Sequence, residues 1–238
     1  MNADRCGKGG GRATARFAYG QDVSERSGTR DGPVRACWSC HGQTAASAVF
    51  CPTCGVVLPP AVLDHFAHFD LARGYDIDLV ELDRRYFAAQ RQLHPDRFAT
   101  KSATERAHSL AHATDLNRAY ETLKDPLRRA VYLLELAGID VTGETKTSAD
   151  PTLLAEVMER REALADATSP SELAAVVGAA EAEAERCRTG LSPAFAAADW
   201  ARAAQLTLRY TYLARLLDEA RARRGRPASP PAFAAAPK

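Results

Sequence analysis

Hydrophobic positions recur with the period of an α-helix through most of the chain beyond residue 60. One stripe predicts a helix from about Asp78 to Leu93; its members are Leu79, Leu82, Tyr86, Ala89 and Leu93. A second stripe predicts another helix and consists of Leu110, Ala113, Asn117, Tyr120 and Leu123. His94-Pro95-Asp96 interrupts the pattern between them, and proline disfavours helical geometry in the residue before it. The two helices are therefore expected to form an antiparallel pair joined by this turn.

Helix-boundary signals divide the rest of the chain. Asp125-Pro126 has the form of an N-cap followed by a first helical residue, and Gly138 is suited to the end of that helix. Asp150-Pro151 opens a further helix, whose apolar positions are Leu154, Val157, Met158 and Leu164. Ser169-Pro170-Ser171-Glu172 has the form of a capping box. A last helix is predicted from about Asp199 to Arg224, with Trp200, Ala203, Thr207, Tyr210 and Leu217 along one side. These three helices predict a small bundle.

The two ends of the chain lack this periodicity. Residues 1–34 are rich in Gly, Arg, Ser and Asp, which predicts a disordered leader, and 227–238 is predicted to be a disordered tail. The arginines also fit a mitochondrial presequence, although Asp4, Asp22, Glu25 and Asp31 argue against it. Pro59-Pro60 marks a boundary between the cysteines and the helices. The predicted domains are a cysteine-rich module at 35–60, a helical-pair domain at 64–140 and a three-helix domain at 148–226.

Composition narrows the function classes. Abundant alanine and few aromatic residues favour a mainly α fold. Lys plus Arg number 31 and Asp plus Glu 30, so the net charge of +1 gives no bulk attraction to nucleic acid or to an acidic membrane. No apolar run approaches the roughly 18 residues of a membrane span, and no secretory apolar core is present. Four of the six cysteines share one window, which favours a metal site in a reducing compartment over a disulfide framework.

The four clustered cysteines have the spacing of two metal-binding knuckles. Cys37-x2-Cys40 and Cys51-x2-Cys54 together supply the four thiolates of a tetrahedral zinc ion. Four thiolates leave no open position for water, so the sequence favours a structural zinc over a catalytic one. Iron is the alternative, because the spacing does not separate the two metals. Gly55 suits the second knuckle, and the first, with His41 before Gly42, is expected to be looser.

The His94-Pro95-Asp96 turn carries polar groups that an ordinary helix–helix connection does not need, although Pro and Asp are common in turns. Arg84, Arg85 and Arg91 precede it on the first helix, and Arg97 follows it. This pattern predicts a cationic surface that leads to an exposed turn.

Together these features resemble a J-domain, and four segments of the chain are similar to the HscB family of iron-sulfur cluster co-chaperones. The segments are FDL at 69–71, RYFAAQRQLHPDRF at 85–98, NRAYETLKDPLRRAVYLLELAG at 117–138 and DPTLLAEVMERREAL at 150–164. The resemblance covers about residues 35–225. It implies a J-domain at 64–140 and an HscB-like C-terminal three-helix domain at 148–226. An N-terminal tetracysteine zinc module occurs in part of this family.

The resemblance also implies two partners and no enzymatic activity of the chain itself. The J-domain would stimulate the ATPase of an HscA/DnaK-type 70-kDa heat-shock chaperone through His94, Pro95 and Asp96, with Arg84, Arg85, Arg91 and Arg97 steering the encounter. The C-terminal domain would bind an IscU-type scaffold through Leu154, Ala155, Met158, Glu159, Glu162, Asp166 and Tyr210. Helical spacing alone allows Leu154 and Met158 to be plain core residues instead.

Other functions remain as alternatives at this level. The nearest is a general J-domain co-chaperone for unfolded clients. A zinc-ribbon nucleic-acid binder is disfavoured, because residues 37–58 contain no Lys or Arg. A metalloenzyme using His65 and His68 near Asp64 and Asp70 lacks a coherent set of ligands. Alanine- and arginine-rich usage suggests a bacterium with a GC-rich genome, so the cytoplasm is the predicted compartment and the mitochondrial matrix the alternative.

Overall fold

A computed structural model describes residues 33–141 and 151–224 of the chain. Two short antiparallel strands, β1 (Val34–Ala36) and β2 (Gln43–Ala45), pair with Val34 opposite Ala45 and Ala36 opposite Gln43. They belong to the cysteine-rich module. The predicted leader lies outside the described residues except for its last two positions, and the predicted tail lies wholly outside them.

Six helices follow in the described ranges. The first three are α1 (Leu79–Leu93), α2 (Ala103–Lys124) and α3 (Pro126–Leu136), and the last three are α4 (Pro151–Asp166), α5 (Pro170–Ala196) and α6 (Trp200–Arg224). Short 3-10 turns cover Ala67–Phe69 and Pro95–Phe98. The prediction of a mainly α chain with a cysteine module, an antiparallel helical pair and a three-helix C-terminal unit is confirmed. None of the helices in these ranges combines the length and apolarity that crossing a membrane requires.

The helix boundaries come from the capping residues that the sequence supplies. The Asp78 carboxylate accepts hydrogen bonds from the backbone N–H groups of Val80 and Glu81 at 2.9 and 3.1 Å, and so begins α1. Asp125 begins α3 in the same way, and Ser169 with Glu172 forms the predicted capping box of α5. These predicted starts are confirmed.

The buried face of α2 differs from the predicted stripe. Leu110, assigned to that stripe, is 59% exposed, whereas the polar residues Ser109 and His112 are buried. Since α2 packs against α1 on one side and against the cysteine module on another, its inward face carries small and hydrogen-bonding groups that a hydrophobic pattern does not register. Leu79, at the start of α1, is also exposed.

The two helical domains share one continuous core. The ring of Tyr75, which precedes α1, stacks on Phe195 of α5 with centroids 5.3 Å apart. The guanidinium of Arg129 lies 5.3 Å from the Tyr75 ring centroid, and the Ser192 hydroxyl donates to the Asp76 carboxylate at 2.5 Å. Packing therefore fixes α1–α3 against α5 and α6.

Candidate functional site

The turn between α1 and α2 is anchored at both of its ends. Leu93, the last residue of α1, and Phe98, after the turn, are both buried. The buried Ser109 hydroxyl on α2 donates to the Leu93 carbonyl at 2.8 Å, which satisfies one of the carbonyl groups left unpaired at the end of α1. The backbone on both sides of His94-Pro95-Asp96 is thereby held in place.

Within this turn the two polar side chains face solvent. His94 Nδ1 accepts a hydrogen bond from the Asp96 N–H at 3.3 Å and lies 3.5 Å from an Asp96 carboxylate oxygen. The side chains of His94 and Asp96 are 54% and 91% exposed. Since Nδ1 accepts, the neutral ring carries its proton on Nε2. The turn therefore presents a carboxylate and a ring N–H outward, and both are available to another molecule.

The predicted arginines do not share one environment. Arg85 is only 25% exposed and donates from Nη1 to the Phe69 carbonyl at 2.6 Å and to the Asp70 carbonyl at 2.5 Å. Arg84 is exposed and forms an ion pair with Glu81 at 2.6 Å. These two guanidinium groups lower the pKa of Glu81 to about 2. Arg85 therefore ties the start of α1 to the preceding 3-10 turn.

The other two arginines lie nearest the turn. Arg91 and Arg97 are exposed, and the Arg97 Nη1 donates to the Arg91 carbonyl at 2.7 Å. That bond fixes the side chain of Arg97 without neutralising its charge. Positive charge is thus concentrated beside His94 and Asp96.

The four cysteines lie together as the spacing predicted. All four sulfur atoms are within 4.8 Å of one another, and the Cys37–Cys54 and Cys40–Cys51 pairs are 3.7 Å apart. A tetrahedral zinc–thiolate site with bonds of about 2.3 Å has sulfur–sulfur edges of about 3.8 Å. The sulfur atoms therefore fit a four-coordinate metal, and the described residues contain no second group of His, Cys, Asp or Glu arranged for one.

The two knuckles share one backbone pattern. In the first knuckle, the Cys37 N–H donates to the Gly42 carbonyl and the His41 N–H to the Cys37 carbonyl. In the second, the Cys51 N–H donates to the Val56 carbonyl and the Gly55 N–H to the Cys51 carbonyl. His41 adopts a positive φ of 59° and Gly55 one of 75°. The expectation that the first knuckle is looser is wrong, because His41 takes the left-handed position that glycine occupies in the second.

The thiols of this cluster differ in acidity. The backbone N–H of Cys54 lowers the pKa of Cys51 to about 6. The Gly42 N–H lowers that of Cys40, but hydrogen bonds with the neighbouring thiols outweigh it and raise the pKa to about 12. Four thiolates this close repel one another unless a cation neutralises them, so the cluster has the chemistry of a metal site.

The cysteine module docks on α2 through backbone carbonyl groups. The Val57 carbonyl accepts from Trp38 Nε1 at 3.0 Å and from His108 Nδ1 at 3.2 Å. The Leu58 carbonyl accepts from the buried His112 Nε2 at 2.9 Å. Burial lowers the pKa of His112, so this ring is neutral at neutral pH. The sequence predicted no role for these two α2 histidines, which lie one helical turn apart.

The predicted scaffold-binding residues of α4 share an exposed face. Leu154 is 42% and Met158 62% exposed, and the core positions of this helix are Leu153 and Leu164 instead. The reading of Leu154 and Met158 as core residues is therefore wrong. The remaining predicted positions on α4 are exposed as well: Ala155, Glu159, Glu162 and Asp166.

Tyr210 lies apart from that face. It is half-buried against the core, and its pKa is raised first by burial and then by the charge of Asp125, the residue before α3. The tyrosine that α6 directs toward α4 is Tyr212, which lines a groove with Leu153, Val157 and Leu216. The sequence did not single out Tyr212, because the spacing of residues along α6 does not show which side of the helix faces α4. The prediction for Tyr210 stays a prediction.

Comparisons with known proteins agree over both helical domains. A family model described as the HSCB C-terminal oligomerisation domain matches residues 149–221. The iron-sulfur cluster co-chaperone protein HscB of Mus musculus is 35% identical over 184 residues, which cover 76% of this chain and 79% of the mouse protein. The co-chaperone protein HscB homolog of Paraburkholderia phymatum is 46% identical over 105 residues, covering 44% of this chain and 60% of that protein.

The fold agrees as well. The crystal structure of human co-chaperone protein HscB superposes with a TM-score of 0.76 at 31% identity, covering 80% of this chain and 98% of the human chain. The chain therefore belongs to the HscB family of iron-sulfur cluster co-chaperones.

Proposed function

We propose that this protein stimulates the ATPase of an HscA/DnaK-type 70-kDa heat-shock chaperone and delivers an IscU-type scaffold to it. The observation that carries the proposal is the anchored turn, in which buried Leu93 and Phe98 hold the backbone while the His94 and Asp96 side chains face solvent. Membership of the HscB family supports it.

The proposed mechanism requires no reacting group on this chain. Binding of the exposed turn to the conformation of the chaperone that hydrolyses ATP would increase the population of that conformation. Arg91 and Arg97 would speed the encounter with an acidic surface, and their effect would weaken as salt rises.

The α4 face is the proposed scaffold site. With about 100° per residue, its six positions fall within an arc of about 140° on one side of the helix. Leu154 and Met158 form an exposed apolar pair beside Glu159 and Glu162. This combination suits a partner that offers an apolar patch with basic groups at its edge. Tyr212 lines the neighbouring groove between α4 and α6, whose walls also carry Arg160, Arg161, Arg209 and Arg215.

We assign zinc to the four cysteines as a structural ion, with iron as the alternative. A soft four-thiolate set suits both metals, whereas the docking of the module on α2 supports a structural role. Metal analysis of the native protein, together with an absorption spectrum, distinguishes them, because iron–thiolate sites absorb visible light and zinc–thiolate sites do not.

Two single variants test the two halves of the function. His94→Gln is expected to abolish ATPase stimulation and leave scaffold binding intact, and Met158→Ala is expected to weaken scaffold binding and leave stimulation by the free protein intact. Unchanged stimulation by His94→Gln would refute the J-domain assignment. Binding to a denatured model protein as tight as to the scaffold would favour the general co-chaperone for unfolded clients.

The compartment proposed is the cytoplasm, and the mitochondrial matrix is the alternative. Sequencing the N-terminus of the native protein tests this assignment, since removal of the arginine-rich leader would indicate import.

A further inference from the structure

One stripe along α1 alternates apolar and basic side chains at the surface. Val80 is 78% and Phe87 55% exposed, and Arg84 and Arg91 are exposed between and beyond them. At about 100° per residue these four side chains fall within an arc of about 60°. The stripe ends at His94, one turn after Arg91.

Phe87 is held outward by its neighbours. Its ring lies 5.2 Å from that of Tyr86 at an interplanar angle of 60°. Tyr86 in turn stacks on Tyr120 of α2 with centroids 3.9 Å apart. The opposite side of α1 is occupied by the buried Leu82 and Leu93. The aromatic ring is therefore supported on one edge and leaves more than half of its surface in water.

We propose that Phe87 is an apolar anchor of the chaperone-binding surface, inserted into an apolar recess between acidic groups of the partner. This inference rests on the proposed function. Arg91 lies one turn after Phe87, and Arg84 lies one turn before it. Arg84 is paired with Glu81, but Glu81 is shared with Arg85, so this side of Phe87 keeps a net positive charge. A complementary surface would therefore offer negative charge on both sides of an apolar patch. The stripe is continuous with the exposed His94-Pro95-Asp96 turn, which assigns both to one partner.

The anchor and the arginines respond differently to salt. Apolar burial is nearly independent of ionic strength over the physiological range, whereas pairs between exposed charges are screened. Phe87→Ala is therefore expected to weaken binding roughly tenfold, from the area of ring still exposed, with an unchanged salt dependence. Arg91→Gln is expected to weaken binding at low salt and to reduce the salt dependence.

The experiment titrates the full-length chain and its variants into the purified 70-kDa chaperone with ATP, at ionic strengths of about 0.05 and 0.15 M. The concentration that gives half-maximal stimulation is measured at each. Leu110→Ala is the matched control, because it removes a similarly exposed apolar side chain, 59% against 55%, from α2 and outside both proposed binding surfaces. Phe87→Leu is expected to retain most of the affinity, and circular dichroism melting verifies that each variant is folded.

The outcomes separate this inference from the function on which it rests. If Phe87→Ala binds as the unmodified chain does while His94→Gln abolishes stimulation, the anchor is refuted and the J-domain assignment stands. If His94→Gln stimulates normally, the J-domain assignment itself is refuted. If Phe87→Ala loses affinity only at low salt, the side chain acts through the neighbouring charges and the anchor is again refuted.

Discussion

The buried hydroxyl of Ser109 offers a direct measurement of how the exposed turn is held. It donates at 2.8 Å to the carbonyl of Leu93, the last residue of α1, and is wholly buried. Ser109→Ala removes this donor and leaves the carbonyl without it, in a place that water does not reach. The α-helical backbone of α2 is not disturbed, because alanine is the best helix former.

The expected loss of stability follows from two opposing effects. A buried acceptor left without its donor costs about 1–3 kcal/mol. The higher helix propensity of alanine returns about 0.5 kcal/mol. The free energy of unfolding should therefore fall by about 0.5–2.5 kcal/mol. Because α1 would be less firmly held at its end, stimulation of the chaperone should weaken in parallel.

Urea denaturation measures the stability change, and Thr114→Ala is the control on the same helix. The Thr114 hydroxyl also donates to a carbonyl, that of Leu110, at 3.0 Å, but it is exposed. Its removal should change stability by less than about 0.5 kcal/mol. Equal losses for Ser109→Ala and Thr114→Ala would show that burial of the Leu93 carbonyl is not what makes Ser109 matter.

Three further predictions concern the metal, Arg85 and pH. Cys54→Ser, or chelation under reducing conditions, should unfold the cysteine module and expose Val57 and Leu58. The free energy of unfolding should fall by about 3 kcal/mol or more, and thermal melting with and without added zinc measures this loss. Arg85→Ala should lower the free energy of unfolding by about 1–2 kcal/mol, since it removes partly exposed charge-assisted bonds to two carbonyl groups, whereas Arg91→Ala should leave urea unfolding unchanged. Burial lowers the pKa of His112 in the folded state below its ordinary value of 6.5. The folding stability that depends on a neutral His112 is therefore complete above about pH 6.5, and it is lost as the pH falls from there through the folded-state pKa. His112→Asn should flatten the decline of melting temperature below that pH, and an unaltered profile would assign the decline to other groups.

The features that sequence predicted best are local ones. Asp78, Asp125 and Ser169 begin their helices because a capping side chain bonds to backbone only two or three residues away. The metal cluster could be predicted for a similar reason, since two knuckles of fixed spacing determine most of its geometry.

The features that sequence missed depend on how elements face each other. The sequence left open whether Leu154 is a core or a surface residue. The packing of α4 against α5 and α6 decides this, because it buries Leu153 instead. That Tyr212 lines the groove beside α4 was not predicted, because the rotation of α6 against α4 is a tertiary property. The sequence predicted Arg85 to be a surface cation. Its structural role follows from its hydrogen bonds to the Phe69 and Asp70 carbonyl groups, which only the folded chain brings close to it.

The stack of Tyr75 on Phe195 and the hydrogen bond from Ser192 to Asp76 make the boundary between the helical domains rigid. Two partners bound to the two helical domains would then be held at a fixed distance and orientation, which a flexible linker between the domains would not provide. Their effective concentration would be determined by the shape of the spacer. Phe195→Ala should accordingly leave each binary affinity unchanged and weaken only the complex of all three proteins.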